Sequence, residues 1–448
     1  MNIGDSPLLT DLYQLNMMQA YLANGMTGTA SFELFVRRLP PGRSFLMTAG
    51  LEQAVDWLAG FHFSPDELAY LEKSGRFDAG MLDYLAGLRF EGDIDAMPEG
   101  TVFFPHEPIL RVTAPLPLAQ LLESRLINLI QMQSLVATKA ARVMLAAPGK
   151  VLVDFGFRRA HGAEAGLMAA RASYVSGFAG TATVLAEMLW GIPIYGTMAH
   201  SYVQAHEDES VAFESFARAR PDNLTLLIDT YDPEAAARKV VALAPKLARE
   251  GIVIRSVRID SGDLVGLSRR VRAILDAGGC PDIKIFVSGG LEEGQIAAIV
   301  ESGAPIDGYG VGTALTTSQD QPVLDIVYKL QEYEGVARRK RSAAKQTFPG
   351  RKQVWRAHAA DGTIAGDVIS LDGETLPGAT LLAPVMRAGE RVRRDPTLAE
   401  IRARAAAELA ALPKALRDPL HPGPYRVEIG TALHDLTEAV DRRIAAHG

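Results

Sequence analysis

Six short apolar runs recur between residues 151 and 316: VLVDFGF, IPIYGTM, LTLLIDTY, VIRSVRID, DIKIFVSGG and IDGYGVGTAL. Amphipathic stretches such as PEAAARKVVALAPKLARE and LVGLSRRVRAILDAGG lie between them. Short apolar strands alternating with helices predict parallel β packing, covered on both faces. The repetition fits an irregular (β/α) barrel, with an open doubly wound sheet as the competing arrangement. Upstream, Thr10 to Asn24 reads as a helix, with Thr10 as N-cap and Gly25 as its stop. TASFELFV alternates Ala30, Phe32, Leu34 and Val36 with polar neighbours, which predicts a half-buried strand. Residues 48–90 read as helices with short breaks, and residues 92–117 as short β-like pieces. After about residue 340 the strand rhythm stops, and a β-like stretch and the helix TLAEIRARAAAELAAL follow. The expected class is α/β. An N-terminal α+β domain spans 1–117, a βα-barrel catalytic domain 118–340, and a segment 341–448 packs on the N-terminal domain.

Composition narrows the class without naming a chemistry. A hydrophobic fraction of 48% and a charged fraction of 22% are those of a globular protein. A net charge of −7 gives no electrostatic reason to expect nucleic acid or an anionic membrane as partner. Cys280 is the only cysteine, so no intrachain disulfide is possible and a reducing compartment is expected. The N-terminus lacks a secretory pattern, and no uncharged apolar run reaches about 18 residues. A soluble cytoplasmic protein is the expectation.

Polar residues gather where the apolar runs end. His200 follows IPIYGTMA and Asp229 ends LTLLID; Arg258, Asp260, Ser261 and Asp263 follow VIRSV. Ser288, Gly289 and Gly290 end DIKIFV, and Gly310, Gly312 and Thr313 end IDGYGVGT. In a βα barrel such ends converge on the face where active sites are built. Glycines at the last two ends allow close backbone approach to a phosphate at a helix start. Glu292 and Glu293 are expected as exposed first-turn residues, favoured by the helix dipole. In RIDSGDL a cation stands beside two carboxylates, suiting pyrophosphate, sugar hydroxyls and Mg²⁺, which needs only one or two carboxylates. Arg158, Arg159 and His161 form a second basic cluster in DFGFRRAHG. Of Phe155 and Phe157, alternation predicts one in the site and one in the core. The chain has no Walker-A sequence, no G-x-S-x-G elbow and no G-x-G-x-x-G. No Lys or Glu at a strand end suggests a sugar-phosphate aldolase or isomerase.

Eight motifs then add up: LLTDLYQLNM, FELFVRRLP, DFGFRRAHG, GTMAHSY, RIDSGDL, VSGGL, GVGT and KQTFPGRKQVWR. In order and spacing the chain resembles the nicotinate phosphoribosyltransferase family, from about residue 6 to about residue 430. The resemblance implies an irregular βα barrel, an α+β domain from both ends of the chain, and a homodimer with shared active sites. It implies transfer of phosphoribose from phosphoribosyl pyrophosphate to nicotinate in NAD salvage, with ATP as co-substrate through a phosphohistidine, formally a ligase reaction. Under it His200 is the phosphorylated residue with Ser201 beside it, and Arg258 and Asp260 are catalytic. Tyr13 from the partner subunit and Phe155 stack on the pyridine ring. Arg158 and Arg159 hold substrate, and Ser288, Gly289, Gly290, Gly312 and Thr313 hold the phosphate. Asp260 and Asp263 serve Mg²⁺, directly or through water. FAGTATV resembles a segment that carries aspartate in nicotinamide-using relatives, where this chain has Ala182, and that favours the acid. Nicotinamide or quinolinate as base, and a non-catalytic phosphoribosyl-metabolite binder, stay open as alternatives.

Overall fold

A computed structural model describes residues 3–342 and 345–447 of the chain. It divides into two compact units, Met1–Thr138 with Val323–Gly448, and Lys139–Pro322.

The second unit is built on a curled parallel sheet, a half-barrel. Its strands run, in spatial order, Gly180–Thr181, Val151–Asp154, Gly308–Val311, Lys284–Val287, Ile254–Ile259 and Leu224–Leu227. Leu152, Val153, Leu226, Val257, Ile259, Ile285, Val287, Tyr309 and Val311 are all buried, as parallel strands with both faces covered require. The connecting helices carry the caps their sequences suggest. Asp232 accepts from the Ala235 amide and Pro233 opens the first turn of helix Pro233–Arg249. That helix buries Ala236, Ala237, Val240, Leu243 and Leu247, one stripe at helical spacing.

Two expectations for this unit change. IPIYGTM is not a strand: only Ile194 bridges to Thr181. Pro193 has no amide to donate, and its carbonyl lies where a Cβ on Gly180 would stand, 2.0 Å away. The strand at this place is instead the two-residue Gly180–Thr181. Glu293 is buried rather than exposed. Its carboxylate pairs with Lys139 at 2.6 Å and Arg142 at 3.0 Å, both on helix Glu123–Ala146. The two cations hold its carboxyl below the usual range against the opposing effect of burial. Lys139, itself fully buried, also reaches Asp320 at 2.7 Å. Breaking a buried set of this kind by removing one partner costs about 3–5 kcal/mol, because a charge is left uncompensated. Glu292 caps helix Glu293–Glu301 in a capping box with Gln295.

In the first unit a seven-stranded sheet joins both ends of the chain. Thr29–Val36 pairs antiparallel with Ile326–Tyr333 and Leu110–Pro115, and Ala383–Arg387 pairs with Asp93–Ala96. The Thr29–Val36 strand is buried on both faces, not one, apart from Thr29. Its polar Glu33 is fully buried because the Lys352 ammonium meets it at 2.8 Å. Phe32 stacks on Tyr328 at 4.9 Å, and the Tyr328 hydroxyl donates to the Ala119 carbonyl. The first long helix begins at Leu12, with Asp11 rather than Thr10 at the N-cap position. The Asp11 carboxylate does not cap; it accepts from the Ser124 hydroxyl at 2.7 Å. No helix among the described residues is long and apolar enough to cross a membrane.

Candidate active site

The site grows from the turn that follows strand Val151–Asp154. Phe155 donates its amide to the Val311 carbonyl at 2.8 Å, and its ring lies over Gly310. A Cβ on Gly310 would fall 2.4 Å from that ring, so only glycine admits it there. Phe286 meets the ring at a tilt with centroids 6.0 Å apart, and the Arg258 guanidinium carbon stands 5.8 Å from its centroid. An arginine at this range from an aromatic face is a cation–π pair and gives the site a charged wall beside an apolar one. Phe157 is not core: it is 47% exposed. The strand has ended at Asp154 and residues Phe157–Arg159 form a 3-10 turn, so strand alternation no longer applies. Arg158 and Arg159 are exposed on the same turn.

Arg258 is the centre of the polar cluster. Its side chain is largely buried, donates to Thr197 Oγ1 at 3.2 Å and stands 4.0 Å from Asp260. Burial pushes the guanidinium pKa down, the Asp260 and Asp229 carboxylates oppose this, and Arg158 adds to the lowering. The nearness of Arg158 therefore registers electrostatically at Arg258. Asp260 accepts a short hydrogen bond from Ser288 Oγ, and its amide donates to Asp229 Oδ2 at 2.9 Å. Ser261 Oγ donates to the same Asp229 oxygen at 2.7 Å. His200 opens the short helix His200–Gln204; its Nδ1 meets Thr230 Oγ1 at 3.1 Å and its Nε2 lies 3.9 Å from Asp260. Two polar atoms here, Arg258 Nε and Asp229 Oδ1, are buried without a hydrogen-bond partner. Such atoms are costly unless a ligand or water meets them.

The glycine turns close the cluster on the other side. Gly289 and Gly290 have φ of 98° and 67°, and the Asp260 carbonyl lies 2.0 Å from where a Cβ on Gly289 would stand. Gly312 precedes the single helical turn Thr313–Thr316. Phe155, Arg258, Asp260, His200, Ser288 and Gly289 are thus brought together. Ser201 follows His200 but is exposed. Asp263 is exposed too, and its carboxylate accepts from the Gly266 amide at 3.0 Å as the cap of helix Leu264–Ala277. Tyr13 belongs to the other unit, where it is 47% exposed and donates to Glu123 at 3.1 Å. Burial first, and then the Glu123 charge, push its phenol up to about 12.

Thr197 and Thr230 belong to this cluster, Asp154 holds the turn that carries Phe155, and none of the three carried a signal of its own in the sequence. The first two are ordinary loop threonines, and Asp154 sits inside an apolar run. A cavity of about 440 Å³ lies within the curled sheet, with Phe155, Thr197 and Phe286 toward the strand C-terminal ends and Thr225, Ser256 and Lys284 toward the other. In the first unit Arg37, Arg38, Arg339 and Lys345 line a separate cavity of about 640 Å³. Arg339 and Arg341 both pair with Asp441, and the Arg339 side chain is buried.

Three family models match successive parts of the chain. They are the nicotinate phosphoribosyltransferase N-terminal domain over residues 8–131, the nicotinate phosphoribosyltransferase family over 151–347, and the C-terminal domain over 379–437. A nicotinate phosphoribosyltransferase of Mycobacterium tuberculosis is 49% identical over 411 residues, covering 92% of this chain and 88% of that one. The crystal structure of human nicotinic acid phosphoribosyltransferase superposes with a TM-score of 0.86 at 29% identity, covering 96% and 99% of the two chains. A structure described as nicotinate-nucleotide pyrophosphorylase from Pyrococcus furiosus follows at 0.75 and 26% identity, covering 91% and 96%.

Proposed function

Because this chain belongs to the nicotinate phosphoribosyltransferase family, we propose that it transfers phosphoribose from phosphoribosyl pyrophosphate to nicotinate, giving nicotinate mononucleotide and pyrophosphate, with ATP spent by phosphorylating His200 to leave ADP and water then releasing phosphate from that phosphohistidine. The observation that carries this reading is the placing of Arg258 between the Phe155 ring and the Asp260 carboxylate. One residue so placed would face an aromatic carboxylate on one side and a phosphorylated sugar on the other.

In the reaction the bond between the anomeric carbon and the pyrophosphate oxygen breaks and a carbon–nitrogen bond to the pyridine forms. The pyridine nitrogen already carries the attacking pair, so no general base is needed. Position and charge are what the protein must supply. Phe155 would take the ring face, with Arg258 and Arg158 toward its carboxylate. Ala182, exposed at the end of Gly180–Thr181, puts no carboxylate against that group. Asp260, held by the Ser288 hydroxyl and by the hydrogen bond its backbone amide donates to Asp229 Oδ2, would meet the ribose hydroxyls. Gly289, Gly290, Gly312 and Thr313 would take the 5′-phosphate.

Mg²⁺ fits the donor set in character: Asp260 and the unpartnered Asp229 Oδ1 are hard oxygen donors, and Mg²⁺ keeps several waters. No group of three or more His, Cys, Asp or Glu able to hold a metal occurs among the described residues, so substrate oxygens would complete the shell. Asp263, engaged as a helix cap, would act only through water. When bound, Mg²⁺ would supply charge neutralisation at the pyrophosphate. The reading extends to a cytoplasmic homodimer in which Tyr13 of one subunit covers the ring held by the other.

His200→Ala tests the ATP step. The variant should form no phosphoenzyme from labelled ATP, and its yield of nicotinate mononucleotide should not respond to ATP. An ATP-dependent rise in yield in that variant would remove His200 from the role.

A further inference from the structure

Asp154 is a carboxylate with 1% exposure at the end of a barrel strand, and no step of the reaction calls for it. Its Oδ1 accepts from the Gly156 amide at 2.8 Å, which fixes the turn carrying Phe155 and Arg158. Its Oδ2 accepts from Thr181 Oγ1 at 2.7 Å. That threonine hydroxyl in turn accepts from the Thr183 amide at 3.1 Å, and the Ala182 amide donates to the Asp154 carbonyl at 2.8 Å. Both neighbours of Ala182, and Ala182 itself, are therefore tied to this one residue. On its third side, Thr316 Oγ1 lies 3.5 Å from Oδ1. Thr316 ends the helical turn that Gly312 and Thr313 begin. The same threonine oxygen lies 1.6 Å from where a Cβ on Gly156 would stand, so the turn after Asp154 runs directly against it.

We propose that Asp154 is a positioning residue for the transfer reaction: it sets the two walls of the pyridine pocket, Phe155–Arg158 and Thr181–Thr183, in register with each other and with the phosphate turn Gly312–Thr316. The inference rests on the function proposed above. An anionic carboxylate is suited to the task because it accepts from several donors at once, whereas an amide of the same shape must point two hydrogens at one of them. The burial that isolates the group also raises its pKa, opposed by the Thr181, Gly156 and Thr316 bonds. Transfer between two separately bound partners is sensitive to small displacements, and a misplacement of about 1 Å costs on the order of 100-fold.

Asp154→Asn, Thr181→Val and Thr181→Ser test this, each compared with the wild type for kcat, for KM of each substrate and for thermal midpoint. Asp154→Asn and Thr181→Val should lower kcat by about 10- to 100-fold and raise the nicotinate KM, with the phosphoribosyl pyrophosphate KM moving less than threefold. Thr181→Ser, which keeps the hydroxyl, should return both parameters to within about threefold of wild type. A merely structural role would shift the thermal midpoint, lower the active fraction and leave both KM values in place. Folded variants that keep wild-type kcat and nicotinate KM would overturn the proposal, as would a Thr181→Ser enzyme as impaired as Thr181→Val. If Asp154→Asn does not fold, the Thr181 pair decides alone. A wild type silent toward nicotinate, nicotinamide and quinolinate would overturn the functional reading instead, so the two failures are told apart.

Discussion

Replacing Arg258 with alanine should lower kcat/KM for nicotinate by about 10²–10³-fold, the loss expected when a buried group aimed at developing charge is removed. Among the described residues, the guanidinium is the one cation that both faces the Phe155 ring and stands beside Asp260. Without it, Asp260 and Asp229, linked through the Asp260 amide, would lose the positive charge that offsets them. A departing pyrophosphate would meet uncompensated carboxylates. Arg258→Lys should recover only part of the loss, because a point charge on a flexible stem cannot reproduce the fixed fork that reaches Thr197 and Asp260 at once. Steady-state kinetics on folded protein measures both. An alanine variant within about threefold of wild type would exclude Arg258 from the reacting end of the site.

Gly289→Ala should be nearly as damaging, by another route. The added Cβ would stand 2.0 Å from the Asp260 carbonyl, at a φ of 98° that alanine rarely adopts. Relief requires the Asp260 backbone or the Ser288–Gly290 turn to shift, and that breaks the register between the Ser288 hydroxyl and the Asp260 carboxylate. Activity should fall on the order of 100-fold with the fold largely kept. Gly290→Ala is the control: nothing lies within 4 Å of its Cβ, and only its φ of 67° is unfavourable. It should cost about 1–2 kcal/mol of backbone strain and, as part of the same phosphate turn, some activity, but clearly less than Gly289→Ala. Equal effects from the two alanines would mean that close packing against Asp260 is not what the first glycine serves.

The barrel strands were legible because a parallel strand covered on both faces leaves a short, mostly apolar run, as Val151–Asp154 and Leu224–Leu227 do. The clustering of the candidate site residues was legible because residues at strand ends share one face whatever the loops do. His200, Arg258 and Ser288 all stand within 4.0 Å of the Asp260 carboxylate. What misled was polarity with a hidden partner. Glu293 follows a glycine turn and resembles a solvent-facing cap residue, yet Lys139 and Arg142 wait for it from a helix more than 150 residues earlier. Glu33 alternates correctly for a half-buried strand, but Lys352 buries its outer face. No local pattern records a charge partner that distant in sequence. IPIYGTM has the composition of a strand and lacks only an amide at Pro193, which is enough to reduce pairing to one bridge. Phe157 shows the converse: alternation stops where the chain leaves the sheet, and the sequence does not mark the last paired residue. Asp154, the residue that ties the ring turn to its neighbours, sits in an apolar run, and only its three partners reveal its use.

The most direct test of the whole account is a single assay on the unmodified protein. Nicotinate, nicotinamide and quinolinate are each supplied with phosphoribosyl pyrophosphate and Mg²⁺, with and without ATP, and nucleotide and pyrophosphate are quantified together. The account predicts nicotinate mononucleotide and pyrophosphate in equal amounts, a kcat/KM highest for nicotinate, and more product when ATP is present. Product from nicotinamide in preference to nicotinate, or ligand binding with no nucleotide formed from any of the three bases, would contradict it.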